Sequence, residues 1–100
     1  MLNNNLSELQ NLLGYEFNNT DILTTALTHK SFALENNVAQ YYERLEFLGD
    51  SIISAITCSI LYERFPNLSE GELSKIKSQI VSAENISVWA CLIKLGSFIL

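Results

Sequence analysis

The stretch from Val38 to Phe65 constrains this chain most. It carries Tyr41, Leu45, Leu48, Ile52, Ile56 and Ser59 at intervals of three and four. At about 100° per residue these side chains line one face of a long helix. Pro66-Asn67 ends it, because the position before a proline is pushed out of the α region.

The same period recurs on both sides. Leu6, Leu9 and Leu13 predict a first helix, and Gly14 stands where it would stop. Asn18, Asn19 and Thr20 offer cap oxygens to a second helix carrying Ile22, Leu23, Ala26 and Leu27. The polar run Ser31 to Asn37 reads as a loop. Ser69-Glu70-Gly71-Glu72 fits a capping box ahead of Leu73, Ile76 and Ile80. Ser82 caps a last helix with Ile86, Trp89, Ala90 and Ile93, which stops at Gly96. No β-alternation of useful length and no internal repeat interrupts this, so the predicted fold class is all-α. The sequence finishes on Phe98-Ile99-Leu100. An apolar tail must pack on something, and the chain reads as cut from a longer one.

Composition narrows the class. Forty-eight per cent hydrophobic and 17% charged residues argue against disorder. Four Gly and one Pro exclude collagen-like and low-complexity architectures. At 100 residues there is room for one domain. A formal charge of −5 and a pI near 4.6 argue against a generic phosphate binder, which normally shows a basic excess. Cys58 and Cys91 lie in apolar runs without metal-ligand partners, so both are expected to be buried. Met1-Leu2-Asn3-Asn4-Asn5 lacks the pattern of a signal peptide. The longest uncharged run, Ser51 to Tyr62, is far short of a bilayer span. A soluble, intracellular chain with no membrane partner is expected.

The chemistry sits on the long helix. With Glu43 as angular zero, Glu46 falls near 300° and Asp50 near 340°, at about 100° per residue. The three carboxylates share one stripe, opposite Leu45, Leu48 and Ile52. A sheltered pair of like charges four residues apart needs a cation, and hard oxygens at that spacing suit Mg²⁺. The same stripe is also what the solvated side of an ordinary amphipathic helix looks like. Gly49 beside Asp50 costs about 1 kcal/mol relative to Ala mid-helix, which suggests a close approach to the backbone. Phe47 lies near 40°, among the carboxylates, and suits either a partner surface or a neighbouring helix.

The run Glu43-Arg44-Leu45-Glu46-Phe47-Leu48-Gly49-Asp50-Ser51 closely resembles the signature of the ribonuclease III family. Leu13-Gly14-Tyr15-Glu16-Phe17, Ala26-Leu27-Thr28-His29-Lys30-Ser31, and Leu61-Tyr62-Glu63-Arg64-Phe65-Pro66 with Glu70-Gly71-Glu72-Leu73-Ser74 resemble further family segments in the same order. The resemblance covers essentially residues 1–100 and is strongest to the bacterial enzymes. It implies a helical nuclease domain that hydrolyses double-stranded RNA with Mg²⁺ (Mn²⁺ is a substitute) in rRNA and mRNA processing, as a cytoplasmic homodimer. By position, Glu46 matches the family's metal-ligating Glu and Asp50 its catalytic, metal-binding Asp. Glu43 and Glu70 match further acidic positions of the cleft. Phe47 matches the aromatic that enters the partner subunit. Lys75 and Lys77 match basic positions suited to RNA phosphate, with a solvated face as the competing reading. For His29, a structural role at the end of the second helix is expected rather than a general base.

Three departures stand out. Tyr42 occupies a position where the family usually has Asn, and the stretch Ser31 to Tyr42 is slightly long. The later helix that brings a second Asp and a Glu to the family's metal site, and the double-stranded-RNA-binding domain after it, have no counterpart in the sequence. Residues 1–100 are therefore expected to form a partial nuclease domain, inactive by itself. The alternative is a non-catalytic ribonuclease-III-like module associated with RNA or the ribosome.

Overall fold

The computed structural model describes residues 2–100, with side chains from residue 6 onward. Met1 and the side chains of residues 2–5, the segment read as lacking a signal peptide, lie outside the described residues. Six α-helices and one 3-10 turn follow one another: α1 Leu2–Leu13, α2 Thr20–Leu27, α3 Lys30–Glu35, α4 Glu43–Arg64, α5 Glu70–Ile80, α6 Ala83–Leu92, and a 3-10 turn Leu95–Phe98. No strand occurs among the described residues, and the chain is all-α.

Local chemistry explains most boundaries. Gly14 closes α1 at φ +68°, a conformation that favours glycine. Its N–H donates to the Asn11 carbonyl (3.3 Å), and the Tyr15 N–H donates to that of Gln10 (3.2 Å). This is the Schellman arrangement, which satisfies two of the helix's orphan carbonyls. The Asn19 side chain accepts the Asp21 N–H at 3.0 Å and starts α2. Ser69 accepts the Glu72 N–H at 3.2 Å and starts α5, while the Glu72 carboxylate receives the Ser69 hydroxyl at 3.1 Å. Ser82 accepts the Asn85 N–H at 3.2 Å and starts α6.

Three boundaries differ from expectation. The last helix, expected to stop at Gly96, ends at Leu92: Lys94 takes the left-handed conformation at φ +55° and Gly96 falls within the 3-10 turn. The expected loop Ser31–Asn37 is largely α3. Its cap is the His29 imidazole, whose Nδ1 accepts the Ser31 N–H at 3.1 Å. The long helix begins at Glu43 rather than Val38, because Val38–Tyr42 turn back toward the α2–α3 junction. There the Val38 N–H donates to the Ala33 carbonyl (2.9 Å) and the Tyr42 N–H to the Thr28 carbonyl (3.0 Å).

The core lies at one end. Leu6 and Leu9 of α1, Leu23 and Leu27 of α2 and Phe98 of the 3-10 turn are buried together, with Phe17 and Leu95 packed against them. Of the apolar tail, Phe98 is thus part of the core, while Ile99 stays exposed. The tail is also tied down by its backbone: the Leu100 N–H donates to the Leu27 carbonyl (2.8 Å), and the His29 N–H donates to the Leu100 carbonyl (3.0 Å).

Away from that end the packing thins. The sole buried residue of α4 is Leu61, and α5 and α6 bury none. Leu48, Ile52 and Ile56, which line the apolar face of α4, are all exposed. So are Cys58 and Cys91, against expectation; Cys58 borders an open cavity between α4 and α5 rather than a closed interior. The molecule measures 51 × 26 × 24 Å with a radius of gyration of 16.2 Å. A compact chain of this length would have one near 13 Å.

Candidate active site

The carboxylates are carried where α4 leaves the packed end. Thr28 anchors that start. It is 2% exposed, and its hydroxyl donates to the Thr24 carbonyl at 2.6 Å. Its own carbonyl receives the Tyr42 N–H, and the Tyr42 carbonyl receives the Glu46 N–H at 2.8 Å. Glu43 and Glu46 both lie in the first turn, where the positive end of the helix dipole favours anions.

Glu43, Glu46 and Asp50 all stand exposed on α4, so the shelter that would by itself demand a cation is not provided within this chain. Glu46 and Asp50 are one turn apart on one stripe, two hard oxygen donors open to solvent. Glu70 is the first residue of α5 and lines a different cavity, of about 500 Å³, with Cys58, Tyr62, Leu73 and Lys77. Among the described residues, no three His, Cys, Asp or Glu side chains gather as a metal cluster. The four acidic candidates are therefore not joined into one cage. What remains is a two-carboxylate donor set. That fits Mg²⁺, which is commonly held by one or two carboxylates while keeping waters and meeting substrate phosphates.

Phe47 is 69% exposed, on the carboxylate side, as its angular position requires. It lines a cavity of about 900 Å³ between α2 and the start of α4, together with Ile22, Tyr41, Glu43 and Leu48. Gly49 has open space where a Cβ would stand, so the close approach expected there is not made within this chain. Lys75 is exposed on α5, whereas Lys77 is half-buried. His29 takes the structural role expected of it, as the cap of α3. Sequence reasoning missed the pairing of the His29 and Tyr42 rings, which meet edge-on with centroids 5.7 Å apart. The signal was present in the departure at Tyr42, an aromatic directly ahead of the signature.

By length and composition α4 also equals a membrane span, with a mean hydropathy of 1.4 over its best window. Its first two turns nevertheless hold Glu43, Arg44, Glu46 and Asp50, and charged groups are costly in hydrocarbon.

The family model described as Ribonuclease-III-like matches residues 19–100. Ribonuclease 3 of Borreliella afzelii is 50% identical over 96 residues, covering 95% of this chain and 39% of that protein. Ribonuclease 3 of Shewanella oneidensis is 45% identical over 95 residues, covering 95% and 40%. The chain spans about 40% of the length of these relatives. The nuclease domain of ribonuclease III from Campylobacter jejuni superimposes with a TM-score of 0.85 at 38% identity, over 93% of this chain and 62% of that one. That structure is described as showing flexibility in a region involved in dimer formation. With α4 presenting the signature segment and a family match across most of its length, this chain belongs to the ribonuclease-III-like family.

Proposed function

We propose that the chain supplies the front part of a Mg²⁺-dependent endoribonuclease that hydrolyses phosphodiester bonds of double-stranded RNA in the cytoplasm. The observation that carries this reading is the exposed Glu46–Asp50 pair within an intact family signature on α4. Glu46 and Asp50 would hold the metal, and Mn²⁺ could replace Mg²⁺. When bound, the ion supplies an activated water and offsets charge on the phosphoryl oxygens. Glu43 adds negative potential in the first turn of α4, and Glu70 adds it at the start of α5. Lys75, exposed one turn into α5, meets RNA phosphate, with Lys77 behind it. Phosphate contacts of this kind orient the duplex without reading its sequence.

The active form is a homodimer in which Phe47 inserts into the partner subunit. Its exposure, and the relative whose nuclease domain has a dimer-forming region, support this. The Phe47 side of α4 is then a protein contact, distinct from the apolar face of Leu48 and Ile52 on the opposite side of the helix. With the Glu46–Asp50 pair joined into no three-ligand cluster among the described residues, the chain by itself is inactive or nearly so.

The test uses the full-length gene product and a double-stranded RNA substrate. Glu46→Gln and Asp50→Asn are each expected to lower Mg²⁺-dependent cleavage by at least about 100-fold, since even groups behind metal ligands cost 10–100-fold when lost. Unchanged cleavage in both variants would overturn the assignment.

A further inference from the structure

The helix that carries the carboxylates starts without a side-chain cap: Tyr42 occupies the cap position and its side chain makes no capping hydrogen bond. Caps are ordinarily small residues with an oxygen placed to accept a first-turn N–H. Here a ring contact stands in that place. The Tyr42 ring packs edge-on against His29, at an interplanar angle of 73°.

We propose that Tyr42, clamped by the His29 ring, is a positioning residue for the Glu46 carboxylate; this rests on Glu46 serving as the metal ligand proposed above. Neither partner in the clamp is free to drift. The His29 Nδ1 accepts from the Ser31 N–H at 3.1 Å and lies 2.8 Å from the Ser31 hydroxyl. That arrangement leaves the ring proton on Nε2 and fixes the ring plane. The His29 backbone is held by Leu100. On the other side, Tyr42 is fixed by its N–H to Thr28, a residue with almost no exposed surface. From Tyr42 one hydrogen bond leads to the Glu46 amide. The path from the buried α2–α3 junction to Glu46 is therefore Thr28 carbonyl, Tyr42 peptide, Glu46 N–H, with the His29–Tyr42 ring pair restraining its middle. Rotation of Tyr42 would shift the first turn of α4, and Glu46 with it. The ring carries the effect, so the phenol hydroxyl is dispensable.

The experiment compares amide hydrogen exchange at Glu46 with that at Ile60, farther along α4, and measures Mn²⁺ binding by electron paramagnetic resonance. The variants are Tyr42→Phe, Tyr42→Ala, His29→Asn, the Ala/Asn double and Glu46→Gln, in the full-length protein. His29→Asn keeps a cap oxygen for α3 while removing the ring. Edge-to-face pairs are worth enough to slow opening about threefold to tenfold. Tyr42→Ala and His29→Asn should each speed exchange at Glu46 by about that factor, leave Ile60 unchanged and weaken Mn²⁺ by a similar factor. The double variant should add little, and Tyr42→Phe should match the wild type. Equal acceleration at Ile60, no change at Glu46, or a Tyr42→Phe variant as impaired as Tyr42→Ala each overturns the proposal. Should Tyr42→Ala fail to fold, cross-relaxation between His29 and Tyr42 ring protons in the unaltered protein decides, and its absence overturns the clamp. If Glu46→Gln binds Mn²⁺ normally while the exchange pattern holds, the metal-ligand reading fails and the clamp on the first turn stands.

Discussion

The two ends of this molecule are built from similar sequence and treated differently by the fold. At one end, α1, α2 and the 3-10 turn place Leu6, Leu9, Leu23, Leu27 and Phe98 in a shared interior. Along the arm of α4, α5 and α6, equally apolar residues such as Leu48, Ile56, Val88 and Leu92 face solvent. Periodicity says that a helix has an apolar face. It does not say whether the covering surface belongs to the same chain.

The largest test of that contrast is Leu9→Ala against Ile56→Ala. Leu9 is fully buried and Ile56 is 55% exposed. Leu9→Ala should cost about 3 kcal/mol of unfolding free energy in urea, within the range for emptied core sites. Ile56→Ala should cost less than about 0.5 kcal/mol, as surface changes do. Equal losses would mean that the arm is as packed as the core. A middle-sized effect is expected at Ser69, whose replacement by Ala should cost about 1 kcal/mol through loss of the α5 cap. The smallest change in stability should come from Ile52→Asn, within about 0.5 kcal/mol. Its effect belongs instead to self-association, which should weaken in sedimentation velocity if the α4 face is an interface. Unchanged association would direct attention to α6.

The same division separates what could be read in the sequence from what could not. The Asn19, Ser69 and Ser82 caps and the Gly14 stop were legible, because each depends on a few neighbouring residues. So was the stripe of Glu43, Glu46 and Asp50, which follows from helical geometry once α4 exists. The helix α3 was not legible: it spans six residues, too short for periodicity, and imidazole is an unusual cap. The start of α4 is not legible either: Val38 and Tyr41 continue the apolar spacing, while the Thr28–Tyr42 bond that fixes the boundary is tertiary. The exposure of Cys58 and Cys91 was not legible, because an apolar run does not say how closely a neighbouring helix closes over it. Glu70 is remote in sequence from the stripe, and its separation from Glu46 and Asp50 depends on how α5 turns after Pro66.

Phe98 completes a core whose other walls, Leu6 and Leu9, are made first and lie about 90 residues earlier in the chain. A ribosome synthesising this protein therefore exposes α1 and α2 long before their partner exists. The two early helices must wait, held apart from other nascent chains or from chaperones only by weak local structure. Closure of the packed end therefore waits until residue 98 has emerged, whereas the Thr28–Tyr42 hydrogen bond that anchors the carboxylate helix needs no residue beyond Tyr42.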